Sequence, residues 1–126
     1  MIRFENHTIH IKPSYGYCIL IINKRAFIDP ETMESIILTN KHFIDKGFYR
    51  FMVEVNLGVK SSVEAVDVLN LKGNSRKLEK LAIVDHELTT FNRFLINSFA
   101  KILYLNGSVQ LRTFKTKRKA AIWLKE

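Results

Sequence analysis

Ser61 and Ser62 stand between Lys60 and Val63, at the start of a segment that reads as a helix. A hydroxyl at that place can accept from a backbone N–H of the first turn and so cap the helix. Glu64 follows Ser61 by three residues, the spacing of a capping box. The same hydroxyls are phosphate acceptors, and a phosphate there would be held by the helix dipole and by Lys60. A second set is purely basic. Lys117, Arg118 and Lys119 fill the first turn of a short terminal helix that Thr116 caps, with Arg112 and Lys115 just upstream. That end of a helix carries partial positive charge and favours acids. Cations there either lean into solvent or surround an anion such as a phosphate or a lipid headgroup. Asp85, His86 and Glu87 form the one acid–base cluster, placed after a strand end where α/β sites commonly lie. Glu87 equally suits the first turn of the next helix, so the cluster is read as structural.

Other chemistries lack their residues. His7 and His10 lie on an extended stretch and face opposite sides, while His42 and His86 have no partners in sequence. No metal-ligand spacing, phosphate-cradling glycine loop or nucleophile elbow is present. No catalytic residue, cofactor or metal is therefore expected. Cys18, the single cysteine, sits in the apolar run from Tyr17 to Ile22 and is expected to be a buried, inert thiol. That run is far too short to span a bilayer. The opening residues alternate and carry charges, as a strand does and a signal peptide does not. These features together place the chain in the cytoplasm. The 126 residues, 47% apolar and 25% charged, suit one soluble domain, and the net charge of +8 suits an anionic partner. Nucleic acid is not expected, because no groove-reading motif accompanies the charge.

The elements that would hold these residues alternate. Residues 1–12 read as two short strands about a turn at Glu5-Asn6. "KPSYG" is a turn, and the run from Tyr17 reads as a strand buried on both faces. Asp29 as cap, Pro30 at the first position, Glu31 in the first turn and Gly47 as a stop frame a helix whose apolar residues are Met33, Ile36, Ile37, Phe43 and Ile44. "FYRFMVEV", "LAIVD" and "VQLRTF" read as strands, and a second helical region starts at the paired serines and breaks near Gly73-Asn74. Strands alternating with helices imply parallel pairing through crossovers.

A third helix, beginning near His86 and ending at Asn106-Gly107, is unusually apolar. At roughly 100° per residue, Leu88, Phe91, Leu95, Phe99, Ile102 and Leu103 share one face. Phe94 flanks it on one side, Ile96 and Ala100 on the other, leaving a narrow stripe of Thr90, Arg93, Asn97 and Lys101. The apolar arc is about twice the ~100° that packing on one sheet requires. A second cover is needed: the chain's own neighbours, a protein partner or second copy, or an apolar ligand. Asn92 falls inside the arc and would need a hydrogen-bond partner under any of them.

The element order, together with "KLAIVDHELTTFNRFLINSF" and "VQLRTFKTKRKAAIWLKE", resembles the STAS-domain superfamily, the anti-sigma-factor-antagonist-like fold. Within it the chain is most similar to small bacterial single-domain STAS-like or CRAL-TRIO-like proteins. The shared ending is a strand running into Phe114 and Thr116, then a short helix with Ala120, Ala121, Trp123 and Leu124. The resemblance implies an α/β STAS-like sandwich, with a mixed, mostly parallel sheet of about five to six strands and about four helices. It also implies a non-enzymatic regulatory adaptor that works by protein–protein contact or as a homodimer. The alternative is a carrier or sensor of an apolar anionic ligand, or a protein of anionic membrane surfaces. Phosphorylatable antagonists carry Asp-Ser-Ser-Gly where this chain has Lys60-Ser61-Ser62-Val63, so the serines remain without the flanking acid and glycine. Relatives also tend to carry acids where this chain has Lys117, Arg118 and Lys119.

Overall fold

A computed structural model describes residues 4–5, 9–72, 78–85 and 109–126. The N-terminal alternation forms a hairpin, with β1 (Phe4–Glu5) antiparallel to β2 (Ile9–Pro13) and Phe4 opposite Ile11. Gly16, at φ +82°, turns the chain into β3 (Cys18–Ile22), antiparallel to β2. In chain order there follow β4 (Phe27–Ile28), α1 (Pro30–Asp45), β5 (Arg50–Val55), β6 (Lys60–Ser61), α2 (Val63–Lys72), β7 (Lys80–Asp85), β8 (Gln110–Phe114) and α3 (Lys117–Lys125). The main sheet has six strands in the order β1-β2-β3-β5-β7-β8, and β3, β5, β7 and β8 are mutually parallel. This is the mixed, mostly parallel sheet that the resemblance implies, with the parallel pairing that the alternation predicts. The expected third helix, with Phe91, Phe94, Leu95, Phe99, Ile102, Leu103 and Asn92, lies outside the described residues, as do His86 and Glu87.

Strand alternation sorts the side chains onto two faces. One face carries Cys18, Leu20, Ile22, Phe51, Val53, Val55, Leu81 and Ile83, and packs on Met33, Ile36, Ile37, Phe43 and Ile44 of α1 and Ala65 of α2. The other carries Met52, Ala82 and Val84 beneath Ala120, Trp123 and Leu124 of α3. The run from Tyr17 departs from its expected burial on both faces. Cys18, Leu20 and Ile22 are buried, but Ile19 and Ile21 are only half-buried. The reason is the position of α3, which lies over β5, β7 and β8.

Helix α1 is framed by its own sequence. The Thr32 N–H donates to Asp29 Oδ1 at 2.7 Å, Pro30 opens the first turn and Glu31 complements the dipole. At its end Gly47 adopts φ +98°, its N–H reaches the Ile44 carbonyl, and the Phe48 N–H reaches that of Phe43. These two bonds are the Schellman pair. The Phe43 and Phe48 rings then meet edge to face at 6.0 Å, adding the hydrophobic contact that accompanies such a stop. Helix α2 is capped by Ser62, whose Oγ accepts from the Ala65 N–H at 3.1 Å. The capping box expected from Ser61 and Glu64 gives way to a single cap bond at Ser62, because Ser61 is the last residue of β6, its hydroxyl donates to the Ser62 carbonyl, and the residue three after Ser62 is Ala65, which has no side chain to reciprocate.

Candidate functional site

At the carboxyl end of the parallel strands, β4 and β6 form a separate two-stranded parallel ribbon, with Phe27 opposite Lys60 and Ile28 opposite Ser61. Each strand has only two residues, too few to show a period in sequence. The ribbon is tied into the loops before it. The Arg25 N–H donates to the Leu57 carbonyl at 2.8 Å, Lys60 to Ala26 at 2.9 Å, and Ser62 to Ile28 at 3.1 Å. Arg25 takes a positive φ of 59°, and Gly58, at φ +75°, lies under it. A Cβ on Gly58 would come within 3.1 Å of the Arg25 Cγ, so this crossing favours glycine doubly. Ile28 faces the core and Phe27 faces out. Phe27, Leu57 and Val63 remain 57%, 47% and 69% exposed. They lie on the ribbon and its flanks, alongside exposed Lys24, Arg25 and Lys60. One position beyond the ribbon come Asp29 and Ser62, the caps of α1 and α2, so the two helix starts sit side by side on this rim.

The basic first turn of α3 meets an acid from elsewhere in the chain. Lys117 Nζ lies 2.8 Å from Glu54 Oε2, and the Glu54 side chain is 8% exposed against 53% for the lysine. A buried carboxylate requires a countercharge, and the first helical residue supplies it. At the opposite end of α3, the Arg50 guanidinium donates to the Leu124 carbonyl at 2.6 Å and Lys80 Nζ to that of Trp123 at 2.9 Å. The sheet thus places an acid at the helix N-terminus and bases at its C-terminus, as the dipole requires. The spacing works because Arg50 and Glu54 lie four residues apart on one face of β5, a span of about 13 Å. A nine-residue helix is also about 13 Å long. Thr116 caps α3 as expected, accepting from the Lys119 N–H at 3.4 Å.

The five basic residues singled out in sequence therefore separate. Lys117 is matched with Glu54. Arg112 lies over the Trp123 ring at 5.6 Å, with Lys80 over the same ring at 4.9 Å. Lys115, Arg118 and Lys119 are exposed. Sequence reasoning missed Glu54, whose signal was a single acid in the otherwise apolar end of "RFMVEV". Cys18 is buried, and burial pushes its thiol pKa up to about 12, so it is held protonated. Asp85 ends β7 opposite Val55 and is buried, while His42 packs edge to face against Phe43. Among the described residues no group of three or more His, Cys, Asp or Glu is placed to hold a metal ion, and no helix is long and apolar enough to cross a membrane.

No family model and no curated protein matches the sequence. Among solved structures, an uncharacterized protein from the DUF3478 family with a SpoIIAA-like fold, from Shewanella loihica PV-4, matches over 98% of this chain and 99% of that one. The TM-score is 0.59 and the identity 17%. At that identity the likeness is one of fold. The chain has a SpoIIAA-like, STAS-like α/β fold, as the sequence resemblance implied.

Proposed function

We propose that this SpoIIAA-like domain is a non-enzymatic, cytoplasmic binding module that docks a protein partner at the carboxyl rim of its sheet. The observation that supports it is the β4–β6 ribbon. Its backbone is held by successive hydrogen bonds, yet it turns Phe27 to solvent beside Leu57 and Val63. Apolar side chains on a rigid frame lose little entropy on contact, and a large aromatic is a favoured anchor. Lys24, Arg25 and Lys60 beside them suit a partner with carboxylates around an apolar centre. Ser61 and Ser62 stand on the same rim, and a phosphate on Ser62 would place new negative charge next to the Asp29 carboxylate. Such a modification would change both the docking surface and the two adjacent helix starts, as a regulatory adaptor requires.

The test is site-specific photocrosslinking in the native host, with benzoylphenylalanine at Phe27 or, as control, at Leu38. Leu38 is comparably exposed, but on the outer side of α1. The expected outcome is one discrete protein adduct from position 27 and none from 38. Equal labelling from both positions, or none from either, rejects the reading. Intact mass of protein purified from that host checks the serines separately, an added phosphate being the expected result.

A further inference from the structure

We propose that the outward face of α3, with the turn before it, docks on an anionic lipid bilayer. This surface is separate from the β4–β6 ribbon. From Val109 to Lys125 the chain contains no Asp or Glu, but six cations: Arg112, Lys115, Lys117, Arg118, Lys119 and Lys125. Lys117 already has its partner in Glu54. Lys115, Arg118, Lys119 and Lys125 are exposed, and the acid beside them in sequence is Glu126, the C-cap of α3. Helix α3 buries Ala120, Trp123 and Leu124, so its opposite side is the row Arg118, Ile122, Lys125, with Lys119 adjoining. Ile122, in the middle of that row, is 55% exposed. Helix α1 supplies the contrast. Its exposed apolar residue, Leu38, has one acid, Glu34, a turn before it and one base, Lys41, a turn after, whereas Ile122 has Arg118 and Lys119 before it and Lys125 with Glu126 after, so that cations are in excess.

An occupant of the α3 face must be negative over a broad area and must also accept an apolar side chain at its centre. A bilayer surface with anionic headgroups does both: the cations meet phosphates while Ile122 reaches the acyl boundary. A nucleic-acid backbone has the charge but offers no apolar complement to Ile122, so the observations favour the bilayer. Each cation at such a surface strengthens binding about fivefold. Lys115, Arg118 and Lys119 together are therefore worth about a hundredfold.

The experiment is cosedimentation of the full chain with vesicles of equal parts phosphatidylglycerol and phosphatidylcholine at low salt, beside vesicles of phosphatidylcholine alone. Binding is expected only to the anionic vesicles, and it should weaken as salt screens the charges. Replacing Lys115, Arg118 and Lys119 with alanine should lower the partition coefficient about a hundredfold. The variant with Lys12, Lys41 and Lys46 replaced loses the same net charge away from α3, and should bind within a few-fold of the unmodified chain. Ile122→Ser should weaken binding several-fold without changing its salt dependence. Thermal melting of each variant shows that the fold is kept. Absence of binding to anionic vesicles at low salt overturns the proposal. So does equal loss from the two triple variants, or tighter binding to duplex DNA that Ile122→Ser leaves unchanged.

Discussion

Helices α1 and α3 pack on opposite faces of one sheet, and both start on an oxygen-bearing cap, yet their end charges come from different places. Helix α1 carries its frame within about twenty consecutive residues: Asp29, Pro30 and Glu31 at the start, His42, Gly47 and Phe48 at the stop. Helix α3 has the opposite sign in its first turn and takes its complement from the strands beneath it. Glu54 lies at its N-terminus, and Arg50 and Lys80 hold its last carbonyls. The difference separates two ways of stabilising a helix end. A local frame lets a helix start wherever it is placed, whereas a frame supplied by the sheet allows α3 to be stable only when docked. The basic first turn is unfavourable for an isolated helix and well matched for this one.

The comparison breaks most sharply at Lys117. Lys117→Met removes the ion pair between the helix start and the buried Glu54 carboxylate, and the expected loss is about 2 kcal/mol, below the full cost of breaking a deeply buried pair because the lysine is half exposed and Glu54 keeps its other contacts. Arg118→Ala, one residue along and without such a contact, should stay within about 0.5 kcal/mol. Urea unfolding followed by Trp123 fluorescence measures both, since Trp123 is the single tryptophan and sits on α3. Adding Glu54→Gln to Lys117→Met should recover a good part of the loss. If the two single substitutions cost the same, the sheet does not frame this helix.

A smaller effect is expected at the local stop of α1. Gly47 has φ +98°, and a Cβ built there meets nothing within 4 Å. Gly47→Ala therefore acts through backbone conformation alone, at about 1–2 kcal/mol. Gly47→Asn should cost less, because asparagine enters the left-handed region more readily. Chemical denaturation of the two variants ranks them, and equal cost would mean that the stop depends on something other than φ.

The same contrast explains what could be read from the residues alone. Helix α1 was legible end to end, since every part of its frame is near in sequence. The parallel strands were legible because β5 and β7 are near-continuous apolar runs, as buried parallel strands are. Cys18 was legible as an inert thiol from the run around it. The β4–β6 ribbon was not, because two-residue strands show no alternation and their pairing joins Phe27 to Lys60, far apart in the chain. The role of Lys117 was hidden for the same reason: Glu54 is distant in sequence, and only the sheet brings it under the helix. The capping residue was legible as one of the pair Ser61 and Ser62, and the fold selects Ser62 because Ser61 has already joined β6. The wide apolar arc read from Leu88 to Tyr104 falls outside the described residues.

The smallest expected effect tests the local frame through pH. The Asp29 pKa is lowered, first by the backbone N–H of Thr32 and then by the Thr32 side chain. A carboxyl whose folded pKa is depressed adds stability above the ordinary carboxylate range, and loses it as pH falls through the lowered folded value. Asparagine accepts the same bond from Thr32 but has no proton to gain. Asp29→Asn should therefore melt close to the unmodified protein in acid and slightly below it near neutrality, where only the aspartate also complements the dipole. The gap should be modest, because Asp29 is open to solvent and its charge is screened. Melting temperature recorded against pH for the two proteins gives two curves that converge downward in pH. Parallel curves would mean that the Asp29 charge contributes nothing to the start of α1. The local frame of α1 would then rest on the hydrogen bond to Thr32, on Pro30 and on the Gly47 stop, and its contrast with the charge-framed α3 would be one of hydrogen bonds and backbone against ion pairs.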